Sequence, residues 1–337
     1  MQNVNQPIER ALDEIDVGTR ILESEEPLAT LPDDFWELLC EKCDYETLKN
    51  FRQTCKRAHA FVGKTFSDRT RLEIEQLEQL KLFELLSNLT FNVTHLAFGF
   101  DFDHPLEVGM IPSSVTHLYL GKPNHPLEAG VIPSSVTYLH LGNYNQPLRV
   151  GVIPPSVTHL NLGWEFNQPL SVGVIPPSVT WLSLGCAFNH PLKVGVIPPS
   201  VTNLRFGSMF NQDLEVDVIP ESVTHLDLGF KFNQRLNVGV IPDSVTHLNL
   251  GCLFRQQLSV GAIPPSVTHL EFGEAFNHPL KVGVIPPSVT HIRFGYEFDQ
   301  PLSADVIPPS VKQIKFYRKE QASWLAEPGN IHVIWFE

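Results

Sequence analysis

An Ile-Pro pair recurs at Ile111, Ile132, Ile153, Ile175, Ile197, Ile219, Ile241, Ile263, Ile285 and Ile307. The first two steps are 21 residues and the other seven are 22. A fixed period of that length means stacked units, because one unit cannot bury its own apolar face and its neighbours must supply the core. A full unit reads Val157-Thr158-His159-Leu160-Asn161-Leu162-Gly163, then Phe166-Asn167-Gln168-Pro169-Leu170, then Gly173-Val174-Ile175-Pro176. Its first stretch alternates with period two and is expected to be a strand. Leu160 and Leu162 point to the core, and His159 and Asn161 point away from it. Gly163 ends the strand, and Phe166, Leu170, Val174 and Ile175 turn back inward. Pro176 and Pro177 forbid a long helix on the return side. An in-register column of amides such as Asn167 is expected to satisfy turn backbone groups. Parallel strands about 4.8 Å apart give the array a length near 50 Å.

Composition narrows the class. The net charge of −13 argues against nucleic acid as the main partner, which needs a basic stripe. No apolar run approaches 18 residues, so no membrane span is expected. Met1 to Pro27 is acid-rich and lacks the apolar stretch of a signal peptide. Five cysteines in 337 residues suit a reducing compartment, and a cytoplasmic location is expected.

Ahead of the repeats the chain changes character. Residues 1–27 read as an acidic tail, with a short amphipathic helix over Ile8 to Leu22 as the alternative. Residues 28–64 read as a small helical module. Leu31-Pro32-Asp33-Asp34 opens a helix with acids in its first turn. Phe35, Leu38 and Leu39 follow at helical spacing, and Leu48, Phe51 and Cys55 mark a second helix. Cys40-x-x-Cys43 with Cys55-x-x-x-His59 also has a zinc-like spacing, but it explains only four residues. Residues 65–88 read as a helical linker that caps the array, with Leu72, Leu77, Leu80, Leu82, Phe83 and Leu86 among glutamates. Residues 89–316 form the repeats, and 317–337 a C-terminal cap whose Ile331-to-Phe336 stretch is a last strand.

Leu31-Pro32-Asp33-Asp34 and Leu48-x-x-Phe51-Arg52-x-Thr54-Cys55-Lys56-Arg57 resemble an F-box. They depart from it at Phe35-Trp36 and at Arg57. The resemblance implies docking on a Skp-type adaptor of a cullin ubiquitin ligase, with Leu31, Pro32, Leu39, Leu48 and Cys55 in or under the docking face. The repeats resemble the leucine-rich repeat superfamily, and more closely the FNIP repeats, named for residues seen here as Phe166-Asn167 and Ile175-Pro176. Such repeats occur beside F-boxes in proteins of giant amoeba viruses and slime moulds. The expected fold is a small all-α N-terminal module followed by a leucine-rich-repeat-like parallel β solenoid with an extended, Pro-rich convex side. Irregular units stand out. Lys122-Pro123-Asn124 lacks the Phe, Arg255 replaces an Asn, and Asp213, Arg235 and Gln257 replace Pro.

Two columns on the outward strand face are candidates for function. One is His95, His117, His159, His225, His247, His269 and His291, completed by Tyr138, Trp181, Asn203 and Gln313. A straight column does not converge on a metal. Burial and like-charge neighbours are expected to lower its pKa values. The adjacent column varies within a fixed frame, as a partner-reading column would: Tyr119, His140, Asn161, Ser183, Arg205, Asp227, Asn249, Glu271, Arg293 and Lys315. Tyr119, Tyr138, His140, Trp181, Asn203, Arg205, Asp227, Glu271 and Arg293 make up the expected concave binding face, since aromatics and Arg dominate binding energy. A third column after the Gly holds Trp164, Cys186, Ser208, Phe230, Cys252, Glu274 and Tyr296; Cys186 and Cys252 are too far apart for a disulfide. No nucleophile elbow, phosphate loop or carboxylate pair appears, so no catalytic residue, cofactor or metal is expected. The expected function is a substrate-recruiting adaptor of a cullin-type ubiquitin ligase. A plain interaction scaffold is the alternative. A β-helix enzyme acting on polysaccharide lacks the acid cluster it needs.

Overall fold

A computed structural model describes residues 71–74, residues 93–317 apart from 100, 101, 103 and 304, and residues 332–335. Its strands are β1 (Arg71–Ile74), β2 (His95–Phe98), β3 (His117–Tyr119), β4 (Tyr138–His140), β5 (His159–Asn161), β6 (Trp181–Ser183), β7 (Asn203–Arg205), β8 (His225–Asp227), β9 (His247–Asn249), β10 (His269–Glu271), β11 (His291–Arg293), β12 (Gln313–Phe316) and β13 (His332–Trp335). They form one parallel sheet in strict chain order. Each strand is added to the one before it, with His225 opposite His247 and Leu226 opposite Leu248.

The expected all-α module followed by a solenoid is corrected here. Among the described residues there is no helix, and Arg71–Ile74 pairs in parallel with β2 inside the stretch expected to be a helical linker. Leu and Glu spacing favoured a helix locally, but the open edge of β2 offers these four residues a backbone ladder, and non-local pairing overrides a weak propensity. The F-box-like stretch 28–64 lies outside the described residues. So do Leu31, Pro32, Leu39, Leu48 and Cys55, and the tail and zinc-like spacing with them.

The core is one continuous column of apolar layers. Leu160, Leu162, Phe166, Leu170, Val174 and Ile175 are all buried, and so are their counterparts in the neighbouring turns. The Phe rings stack in near-parallel order, Phe188 on Phe210 at 6.2 Å and Phe232 on Phe254 at 6.3 Å. Truncating such a ring to Ala costs about 3–5 kcal/mol. The unit without a Phe is repaired by its neighbour. Tyr144 is fully buried there, and its hydroxyl accepts the Leu127 N–H at 3.1 Å.

Three side-chain ladders run beside the sheet. Ser178 donates to the Val157 carbonyl at 2.7 Å, and Ser200 to Val179 likewise. The Asn145 Oδ1 accepts the Asn167 N–H, the Asn167 Oδ1 accepts Asn189, and Asn189 accepts Asn211. Thr hydroxyls form the third ladder. The Ser hydroxyls and Asn amides satisfy backbone groups outside the three-residue strands, whereas each Thr hydroxyl adds a donor to a carbonyl that already takes two N–H groups, as at Thr224. The glycines after the strands answer a different need. A Cβ on Gly207 would sit 1.7 Å from the Gly185 carbonyl oxygen, so consecutive turns touch backbone to backbone there.

Candidate functional site

The outward face of the sheet is where side chains leave the frame. Its groove, about 580 Å³, spans β6 to β12 and is floored by the His column and its neighbours. From β2 to β6 that column is aromatic. His95 stacks on His117 at 4.1 Å, His117 on Tyr138 at 5.5 Å, Tyr138 on His159 at 6.1 Å and His159 on Trp181 at 6.4 Å. Asn203 interrupts the stack, and its side chain accepts the Thr202 hydroxyl. From β8 to β11 four imidazoles follow without a break, His225, His247, His269 and His291, at 4.2 to 4.4 Å.

The threonine before each His sets the chemistry of the ring. The Thr246 hydroxyl donates its one proton to the Thr224 carbonyl at 3.1 Å, and Thr268 and Thr290 do the same to the turn before them. The same oxygens lie 2.8 to 2.9 Å from Nδ1 of His247, His269 and His291. The hydroxyl, the preceding carbonyl and Nδ1 thus form one short network, in which a neutral ring can take part in either tautomer. Burial first, and adjacent imidazoles second, hold His117, His247 and His269 below the ordinary 6.5. Sequence reasoning placed the His column but missed the threonines. Their recurrence one residue ahead of each His was the available signal.

The variable column divides into residues that serve the frame and residues that do not. His140, Asn161, Asp227 and Asn249 each accept the N–H of the Gly two positions on, at 2.9 Å. Accepting at Nδ1 requires His140 to be neutral there, and burial lowers its pKa. Ser183 is buried. Tyr119 is exposed and packs against Tyr138 and His140 at 5.5 and 5.6 Å. Burial, with the Tyr119 hydroxyl beside it, pushes the Tyr138 phenol up to about 12. Toward the C-terminal end the column turns ionic. Arg205 pairs with Asp227 at 3.4 Å, and Arg293 with Glu271 at 2.6 Å and Glu274 at 3.8 Å. Arg293 also donates to the Tyr317 hydroxyl and lies over that ring. Burial raises the Glu271 pKa while Arg293 opposes the rise.

Along the strand-end edge Trp164, Phe230 and Tyr296 are exposed, and Cys186 and Cys252 are half-buried free thiols. Of the irregular units, Arg255 reaches over to Glu297 at 3.2 Å. Asp213 and Arg235 line a separate shallow cavity off the strand face. Among the described residues no three His, Cys, Asp or Glu side chains are grouped to hold a metal ion.

Comparison with known proteins follows the same lines. The FNIP Repeat profile matches six segments, 84–122, 123–156, 144–187, 188–231, 232–275 and 276–319, which together run through most of the chain. Among solved structures the chain is similar to CroV588, described as a novel circular LRR protein, at 36% identity with a TM-score of 0.68. That match covers 74% of this chain but only 38% of CroV588, so the chain spans well under half of that protein's length. The functional domain of InlJ from Listeria monocytogenes is matched at 14% identity and a TM-score of 0.44, over 77% of this chain and 51% of that one. A comparison with curated proteins finds no match.

Proposed function

The chain belongs to the FNIP repeat family, and from that premise we propose that it is a non-catalytic interaction protein whose outward sheet face binds a protein target. A leucine-rich-repeat-like solenoid suits protein–protein interaction, because it presents a long regular face with little cost of ordering. The observation that carries the reading is the contrast on that face. The frame is invariant from turn to turn, whereas Tyr119, Tyr138, Trp181, Arg205 and Arg293 sit on it as aromatic and Arg side chains of the kind that anchor interfaces.

The finer reading is a ubiquitin-ligase adaptor working in the cytoplasm. Leu31-Pro32-Asp33-Asp34 and Leu48 to Arg57 supply the F-box-like motifs that would engage a Skp-type adaptor and its cullin, while the repeats hold the target. What supports it is the pairing of those motifs with a repeat array in one chain. The test is co-purification of the full chain with a purified Skp-type adaptor, beside the Leu31→Ala/Pro32→Ala variant. Binding by the parent and loss in the variant support the adaptor role. No binding by the parent ends that role and leaves the interaction scaffold, whose face is then tested by crosslinking at Trp181 and Arg205.

A further inference from the structure

One apolar feature lies off the sheet and is used by neither the core nor the groove. In eight of the ten units the turn before the Ile-Pro pair carries an exposed valine: Val108, Val150, Val172, Val194, Val216, Val238, Val260 and Val282. They are 51% to 69% exposed. Each sits at the first corner of a tight turn, with the following Gly at positive φ where one is present, as at Gly173 and Gly195. The Val174 N–H closes one such turn on the Ser171 carbonyl. That corner of a type II turn suits Pro and accepts most residues, and nothing in it calls for a β-branched apolar side chain. The valines also line up. Val150 Cγ2 lies 3.7 Å from where a Cβ on Gly173 would be, and the row is unbroken from Val150 to Val282, with Ala129 setting Val108 apart. By strand spacing the unbroken part runs about 30 Å. Scattered surface valines need no explanation, but a contiguous apolar row marks an interaction surface.

The charges beside the row indicate what covers it. The residue before each valine forms its own exposed column, in which Glu128, Lys193, Glu215 and Lys281 are the members that matter. A second copy of the chain has the same period, so one register can satisfy the whole row. Laid antiparallel about a two-fold axis between the fifth and sixth units, Lys193 faces the partner's Glu215, and Glu128 faces the partner's Lys281. Symmetry doubles both pairs. Arg149 faces the partner's Ser259, and Ser171 faces the partner's Asn237. The axis also lies at the midpoint of the ten units, so six of the eight valines face a valine, while Val282 comes opposite the partner's Ala129 and Val108 opposite the partner's Ala304. Moving it onto the fifth unit sets Lys193 against the partner's Lys193, and onto the sixth, Glu215 against the partner's Glu215. At the far ends Glu107 comes opposite the partner's Ser303.

We infer that this protein self-associates through its valine row, as an antiparallel two-fold dimer in the register set by Lys193 and Glu215. The valines supply the buried apolar surface, and the charges choose the register, which is the usual division of labour at an interface. The sheet face stays open on both copies, so the dimer presents two binding grooves.

Sedimentation equilibrium of the full chain over a range of concentrations tests it. A concentration-dependent monomer–dimer equilibrium is expected. Val194→Asp/Val216→Asp should raise the dissociation constant ~100-fold or more while leaving the circular dichroism spectrum and melting temperature in place. Lys193→Glu and Glu215→Lys should each weaken the dimer by roughly three- to tenfold, and the double charge reversal should restore it. The inference is overturned by a chain that stays monomeric at its highest soluble concentration. It is overturned equally by a dimer indifferent to the valine changes, or by a charge reversal that fails to rescue.

Discussion

The two halves of the outward sheet face share one frame and differ in everything placed on it. Over β2 to β6 the face is aromatic, with His95, His117, Tyr138, His159 and Trp181 stacked in sequence and Tyr119 beside them. Over β7 to β12 it is imidazole and ion pairs, with four adjacent histidines flanked by Arg205–Asp227 and Arg293–Glu271. The buried side shows no such change. Leu160 and Leu248, Phe166 and Phe254, Val157 and Val245 are buried alike. Outward side chains that make no bond to the frame, such as Tyr119 and Arg205, are free to diverge, because the core and the backbone ladders hold the turns together. The aromatic half suits apolar and stacking contacts, and the ionic half suits charged groups whose attraction varies with salt and pH.

The sharpest test of the shared frame uses one glycine from each half. A Cβ would meet the preceding turn's carbonyl oxygen at 2.0 Å from Gly163 and at 1.7 Å from Gly207. Gly163→Ala and Gly207→Ala should each cost roughly 3 kcal/mol or more in urea unfolding. A large loss in one half alone would break the comparison. Next in size is the response to acid. His247 and His269 have depressed folded pKa values, so the unfolded chain takes up protons first as the pH falls through the ordinary 6.5. The stability they contribute is therefore complete above that pH and is lost below it. The melting temperature should fall between about pH 8 and about pH 5. His247→Gln/His269→Gln should flatten that fall. An unchanged slope in the double variant would remove the imidazole stack as the cause. The raised Glu271 pKa acts with the opposite sign, since its strain is relieved by protonation at lower pH. The smallest effect belongs to the surface pair. A double-mutant cycle on Arg205→Ala and Asp227→Ala should give a coupling of about 0.2–1 kcal/mol that shrinks in salt. A coupling well above that range would mean the ionic half helps hold the fold.

The inward residues and the Asn column were legible in the sequence because stacking repeats one environment at each turn. A period of 22 therefore reports burial directly. Arg71–Ile74 was misread because its fate depends on an edge supplied by residues 95–98, which no local pattern reveals. The variable column was legible as outward-facing but not as two kinds of residue. Only the geometry shows that His140, Asn161, Asp227 and Asn249 are tied to a glycine N–H two residues on. In hindsight a short acceptor two places before a Gly was the available sign. The valine row was equally present in the repeat and was hidden by attention to the apolar residues that turn inward.

The amide ladder also has mechanical meaning. It runs from Asn145 to Asn233, whose Oδ1 accepts the Arg255 N–H, and there it stops, because Arg255 has no amide oxygen to pass to the next turn. It resumes at Asn277, which accepts Asp299. The amide ladder is thus in two runs, and between them the His278 ring sits 2.6 Å from the Arg255 carbonyl while Arg255 holds Glu297. The sheet, the Ser hydroxyls and the Phe stack cross this point unbroken, so tension along the array is carried past the gap by the rest of the frame.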